Sequence, residues 1–348
     1  MRYLTIDKLE KGMAIGQDIF GGTGEVRYKN HEILDEITIR ELEAMGYQGI
    51  YVDDAFTQGI EIQEVISPEI RRETLKSVHE VFMTGNEPGT PEERNLQRTI
   101  EGVVDEILKN GDVMCNMVDI KSYEDYIYFH SINVAMISAM MGCRMGMSRE
   151  RLQELTTCAL LHDIGKRFIE DEILDAPRAL SEAEREEMSQ HSKLGYTYLK
   201  ERFHFAEEIL EGVLEHHEWY NGEGYPMRKA SDEISLFGRI IKIADSYDAM
   251  VSKTPYHKPI VPSDAVEYIM AMAGVEFDPK LVIQFLDCVA VYPVGCEVVL
   301  STGEHAIVVR NYRGFVLRPR VMLMESATTI DLKDDKDARC ITIVELVA

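Results

Sequence analysis

The sequence has no apolar run of the ~18 to 20 residues that a membrane span requires. Its longest candidate, VAMISAMMGC at 134–143, reads as a buried helix. No apolar stretch follows a basic N-terminus either, since MRYLTIDKLEKGM alternates charged and apolar residues, so neither a secretory leader nor a membrane partner is expected. Cysteine is sparse and never spaced as CxxC. Cys115, Cys143, Cys158, Cys288, Cys296 and Cys340 stand far apart, which suits reduced thiols in a cytoplasm better than a disulfide framework or a zinc knuckle. Positive charge is in short supply: 37 lysines and arginines face 61 acids, for a formal net charge of -24. A nucleic-acid polymer would meet repulsion over most of such a surface, whereas a small anion could bind where a few lysines or metal cations reverse the sign. Repeats and low-complexity tracts are also lacking.

What is present divides the chain into four stretches. Residues 1–66 mix short β-like pieces such as GIYV at 49–52 with one helical pattern, EITIRELEAMG, and read as a small α+β module. Residues 67–94 read as a helical linker, opened by Ser67-Pro68-Glu69 and broken by TGNEPGT. Thr90-Pro91-Glu92-Glu93 then supplies a capping box, and Leu96, Ile100, Val103, Val104, Ile107 and Leu108 repeat on one helix face. The signal stays helical from 95 to 290. After Tyr292-Pro293-Val294-Gly295 it changes to short apolar alternations, so 291–348 reads as a β-rich extension. The expected fold class is mainly α, flanked by these smaller α+β and β pieces.

Six of the ten histidines fall between 130 and 217 at helical positions. In LLHDIGK, an apolar helix turn delivers His162 and Asp163 at its end, with Gly165 and Lys166 just beyond. Imidazole nitrogen with a carboxylate oxygen suits a divalent transition metal, and Lys166 is spaced to meet a nearby phosphate oxygen. The same residues read equally well as a helix C-terminus with a capping glycine and a lysine favoured by the helix dipole. His130 in a long apolar helix, His191 late in a charged helix, and Asp245 interrupting IIKIAD fit the metal reading, His130 and Asp245 because an unpartnered polar group among apolar residues is costly, while an exposed helix face for His191 and a helix end for Asp245 are the alternatives. His216 and His217 precede a loop with Gly222, Gly224, Tyr225 and Pro226. Neighbouring helix residues point about 100° apart, so two imidazoles can reach one ion at a helix end from different sides.

His130, His162-Asp163, His191, His216-His217, NGEGYP and Asp245 occur in the order and context of the HD-GYP domain, which this stretch resembles over roughly 95–290. The resemblance implies an all-α HD-type metallophosphohydrolase domain that opens cyclic di-GMP to linear pGpG and often on to GMP. It implies that His130, His162, Asp163 and Asp245 hold one metal and His191, His216 and His217 a second, with Asp163 bridging. Iron or manganese is the expected metal. Two ions about 3.5 to 4 Å apart would activate a shared water, with Lys166 on the scissile phosphate. Lys166, Lys253 and the loop residues Gly222, Tyr225 and Pro226 are the expected substrate contacts.

The chain departs from the family pattern at three places. Tyr126 stands where some members carry a glutamate associated with a third metal, so two metals are expected. Val251-Ser252-Lys253-Thr254-Pro255-Tyr256-His257 lacks both arginines common there, leaving Lys253 or His257 to supply part of the charge. Asp175-Ala176-Pro177 stands where a lysine is common. Three readings follow: a cyclic di-GMP phosphodiesterase; a slow or inactive signalling module that contacts a GGDEF-type protein through its GYP loop; or the same hydrolysis on a mixed cyclic dinucleotide. The N-terminal module is open as a regulatory unit, a homodimer contact or a structural cover.

Overall fold

A computed structural model describes residues 1–54, 57, 59–83, 90–116, 125–252 and 259–347. The chain opens with β1 (Arg2–Thr5), β2 (Ala14–Ile15), β3 (Ile19–Phe20), β4 (Val26–Tyr28), α1 (Glu36–Ala44) and β5 (Gly49–Asp53). β5 lies between β1 and β2 in an antiparallel sheet with Tyr3 opposite Tyr51, and β3 and β4 form a separate ribbon. Leu4, Ile15, Leu34, Leu42, Ile50 and Val52 close a small core of their own. Asp35 caps α1 by accepting from the Ile37 and Thr38 amides.

The helical body holds α2 (Pro68–Met83), α3 (Pro91–Lys109), α4 (Tyr126–Arg144), α5 (Arg149–Leu161), α6 (Asp171–Leu174), α7 (Glu182–Ser189), α8 (His191–Arg202), α9 (Glu207–Glu215), α10 (Leu236–Val251), α11 (Pro262–Ala271) and α12 (Pro279–Leu286). α4 is the central element. Thirteen of its residues from Phe129 to Gly142 are buried, so helices pack around it on nearly every side, α5 and α10 among them. The segment expected as a linker has a structural part: Leu75, Val78, Val81 and Phe82 of α2 join the same core, because their spacing builds one apolar face. Ser67 fastens that helix to α3, its amide and hydroxyl both donating to the Glu106 carboxylate at 2.5 and 2.8 Å.

The single charged helix expected around His191 is two helices. Ser181 and Glu184 form a capping box at the start of α7, and the chain is redirected at Gln190, so His191 begins α8 instead of falling late in a helix.

The C-terminal segment forms β6 (Glu297–Leu300), β7 (His305–Arg310), β8 (Arg320–Leu323), β9 (Thr329–Asp331) and β10 (Ile343–Val347). They make one antiparallel sheet in the order β10-β6-β7-β8-β9 over a core including Val298, Leu300, Ala306, Val308, Val321 and Leu332. The YPVG segment joins the two ends of the chain: the Tyr3 amide donates to Gly295 O at 3.0 Å and the Tyr51 hydroxyl to Val294 O at 3.2 Å. Among the described residues no disulfide links the cysteines, and no helix is long and apolar enough to cross a membrane.

Candidate metal centre

Four helix ends and two helix interiors converge beside α4. α5 delivers His162 at its C-cap, and Asp163 follows at the start of a tight 3-10 turn, Ile164–Phe168. α8 contributes its first residue, His191; α9 contributes its C-cap, His216, and then His217. His130 projects from the second turn of α4 and Asp245 from the middle of α10. Gly165 has a different use from the one the sequence suggested. A Cβ there would lie 1.8 Å from His191 O, so the missing side chain lets α8 close onto the turn and bring His191 beside Asp163.

The side chains form two groups with Asp163 between them. Ligand atoms of His130, His162 and Asp245 lie within 4.8 Å of one another, as do those of Asp163, His191, His216 and His217. Asp163 Oδ2 stands 3.4 Å from His162 Nε2 and 3.6 Å from His130 Nε2. Its Oδ1 stands 3.4 Å from His191 Nε2 and 4.0 Å from His216 Nε2. One carboxylate thus presents one oxygen to each group. Asp245 approaches His130 Nε2 at 3.1 Å through Oδ1 and His217 Nδ1 at 3.9 Å through Oδ2. All seven residues of the expected ligand set meet here.

The hydrogen bonds on the far side of the rings fix which nitrogen faces inward. His162, His191 and His216 each donate Nδ1–H at 2.7 Å to the carbonyl three residues earlier, on Ala159, Met188 and Val213. A carbonyl only accepts, so the proton sits on Nδ1 and the Nε2 lone pair points into the cluster. His191 Nε2 and His216 Nε2 then face each other at 3.2 Å, two acceptors that repel unless a cation lies against both. His162 Nε2 and Asp163 Oδ1 are buried without a hydrogen-bond partner among the described residues. Inward lone pairs, orphaned acceptors and buried carboxylates make a donor set that fits divalent transition metals.

Electrostatics agree with ligands in their metal-binding protonation states. Burial pushes His216 and His217 well below the ordinary histidine range, and neighbouring imidazoles add to it. Burial opposes ionisation of Asp163, yet the Lys166 ammonium at 2.5 Å and the His162 ring hold its carboxyl well below the usual range. For Asp245 burial is overridden chiefly by the hydrogen bond from the protonated His130 ring. His130 is the exception: burial would lower its pKa, but hydrogen bonds to Asp245 and Asp248 raise it to about 9. A metal entering beside His130 must displace that proton. Its affinity is therefore expected to rise about tenfold per pH unit between about pH 7 and 9 and to level off above. Competitive chelator titration across that range checks this; a flat profile would contradict it.

The loop after α9 braces the cluster. The Tyr225 ring stacks on His217 with centroids 4.7 Å apart, and the Tyr225 amide donates to His217 O at 3.2 Å. Pro226 follows through a cis peptide bond. Buried Glu218 ties the loop down by accepting from the Met227 and Lys229 amides at 2.6 and 3.1 Å. Gly222 takes φ +86° and packs toward Ala230, which makes it a turn residue inside the loop and not a neighbour of the histidines. Lys166 reaches the centre through Asp163 and is partly exposed. Lys253 and His257 lie outside the described residues. Tyr126 stacks on the His130 ring, centroids 5.2 Å apart, and brings no carboxylate there.

One functional residue went unread in the sequence. Asp248, fully buried one turn beyond Asp245 on α10, accepts from His130 Nδ1 at 2.7 Å and from Asn133 Nδ2 at 2.8 Å. It holds the proton of His130 on the outer nitrogen, as the three carbonyls do for the other rings. The signal available was the second acid of ADSYDA, three residues after a proposed ligand and hence on the same helix face.

Residues 112–281 match the family described as HD domain. A cyclic di-GMP phosphodiesterase of Pseudomonas aeruginosa is 31% identical over 229 residues, 65% of this chain and 55% of that protein. A 3'3'-cGAMP-specific phosphodiesterase of Vibrio cholerae is 31% identical over 194 residues, 56% of this chain and 36% of that protein. The chain thus spans about half the length, or less, of these curated relatives. Among solved structures, an HDG"Y"P protein from Bdellovibrio bacteriovorus aligns with a TM-score of 0.54 over 81% of this chain and 97% of that one, at 14% identity. That likeness concerns the fold.

Proposed function

Because residues 112–281 of this chain belong to the HD domain family, we propose that the protein is a metal-dependent phosphodiesterase of the HD-GYP type that hydrolyses a cyclic dinucleotide, cyclic di-GMP first. The observation that carries this reading is Asp163, whose two oxygens each face a separate histidine group. His130, His162 and Asp245 would hold one divalent ion, His191, His216 and His217 the other, and Asp163 both. The mixed nitrogen and oxygen donors suit iron or manganese. When bound, such ions supply Lewis acidity and a water that ionises near neutral pH.

The protein's own groups supply the rest. Lys166 is partly exposed and stands 2.5 Å from Asp163, so its ammonium can neutralise charge on a phosphoryl oxygen at the rim of the site. Tyr225, stacked on His217, holds that ring in place and covers it from water. Asp248 keeps the His130 proton on Nδ1 and leaves Nε2 for ligation. The products expected are linear pGpG and, on further cleavage, GMP. Widely spaced cysteines without a disulfide suit a cytoplasmic setting.

The mixed guanine–adenine dinucleotide is the second reading, favoured by the 31% identity to the Vibrio cholerae phosphodiesterase. Protein reconstituted with iron or manganese and incubated separately with cyclic di-GMP and 3'3'-cGAMP separates the two. The expected result is a linear product from cyclic di-GMP in the faster reaction. Faster cleavage of the mixed substrate would transfer the assignment to it, and no cleavage of either would end the enzyme reading.

A further inference from the structure

Between the N-terminal module and the helical body lies a cavity of about 120 Å³. Its walls come from Asp18 and Phe20, from residues 62–65, from Arg71 on α2, and from the facing sides of α4 and α10 through Asn133 and Asp248. It sits behind His130, on the opposite side of that ring from the metal ligands.

Two charged groups line this cavity without satisfying each other. Glu64 Oε2 is buried and has no hydrogen-bond partner among the described residues. Arg71 is near enough for its charge to counter the rise that burial gives the Glu64 carboxyl, yet the two form no ion pair. Its guanidinium donates a weak hydrogen bond to Met136 Sδ at 3.9 Å. A carboxylate and a guanidinium free to meet would close into a paired fork. Across the cavity the buried Glu64 Oε2 needs a partner, and one that fits between the two can meet the guanidinium as well. Asp18, Glu69 and Glu106 add negative charge around Glu64, which favours a cation at that end. The space is close to the roughly 150 Å³ that accommodates benzene, so it suits a ligand of about six non-hydrogen atoms.

We propose that this cavity is a regulatory site for a small zwitterion of the α-amino-acid type, its ammonium on Glu64 and its carboxylate on Arg71. The site has a short route to the metal centre. Asp248 lines the cavity and accepts from His130 Nδ1, while Asn133 lines it and donates to Asp248 Oδ1. A ligand that moves either side chain changes how His130 is held, and with it the affinity of the first metal position.

Calorimetric titration of the full chain with glycine, L-alanine and L-serine tests this, with propylamine and propionate as probes of similar size that keep one charge each. At least one amino acid is expected to bind saturably at one equivalent. Glu64→Gln and Arg71→Met are each expected to weaken that binding about tenfold or more, with circular dichroism and metal content unchanged. The bound amino acid is expected to shift the metal affinity of the His130 position. Failure of all three amino acids to bind, equal binding by the single-charge probes, or binding indifferent to both substitutions would mean that the cavity holds only water, and an unmoved metal affinity would overturn its regulatory role. None of these readouts depends on hydrolysis, so they stand apart from the test of the enzymatic reading.

Discussion

Asp163→Asn is expected to remove the metal that His191, His216 and His217 are proposed to hold and to lower the proposed hydrolytic rate by on the order of a thousandfold, while the fold is kept. Asparagine matches aspartate in volume but offers one oxygen and one amide nitrogen, and the nitrogen cannot ligate. Its orientation is settled by Lys166, which donates to Oδ2 at 2.5 Å and will demand the remaining oxygen. The amide nitrogen then faces His191 Nε2, now 3.4 Å from Oδ1, and donates to the lone pair the metal requires. Losing one ion and half of the bridge forfeits several kcal/mol of transition-state stabilisation, hence the size of the rate effect. Metal analysis after reconstitution should give one equivalent where the parent gives two, and single-turnover hydrolysis should fall in parallel. Two retained equivalents with an unchanged rate would remove Asp163 from the bridge.

The residues that gather at the site were legible in the sequence because each stands out in its own segment. A histidine or aspartate at a helix end or in an apolar helix is conspicuous in its own segment, and His162-Asp163, His216-His217 and Asp245 are all of that kind. Relations between segments were less visible. Gly165 read as a glycine capping a helix end, whereas its use is the approach of α8, and nothing in LLHDIGK reports where α8 will lie. The charged stretch SEAEREEMSQHSKLG carries no helix breaker at Gln190, so the redirection that puts His191 first in α8 comes from packing against the turn after Asp163. α2 looked like a linker because its apolar face only gains meaning once α3 and α4 are beside it. Nothing in the sequence sets Glu64 and Arg71 apart, and only the fold brings them to one cavity. The outer residue Asp248 was hidden for the same reason: its partner is 118 positions away.

That distant contact sets the second large expectation, which concerns Asp248→Asn. Among the described residues the native carboxylate accepts from His130 Nδ1 at 2.7 Å and Ser252 Oγ at 3.3 Å on Oδ2, and from Asn133 Nδ2 at 2.8 Å on Oδ1. An asparagine cannot serve both sides with its single oxygen. With the oxygen toward His130, its amide nitrogen meets the Asn133 donor, and Asn133 must turn its own oxygen inward to relieve the clash. With the amide toward His130, Nδ1 becomes an acceptor and the ring proton moves to Nε2, the atom the metal needs. Either outcome weakens the first position, and affinity there is expected to fall by about 10- to 100-fold, the range usual for losing the outer partner of a ligating histidine. The second position should keep its affinity, because His191 and His216 are held by the carbonyls of Met188 and Val213, which the substitution does not touch. Titrating metal into the variant should resolve one tight and one weakened site, and nitrogen-15 spectra of the imidazoles should show a shifted His130 tautomer beside unchanged His191 and His216. Equal weakening of both sites would mean that the substitution acts through general loosening of α10, and two unchanged sites would deny Asp248 any part in holding His130.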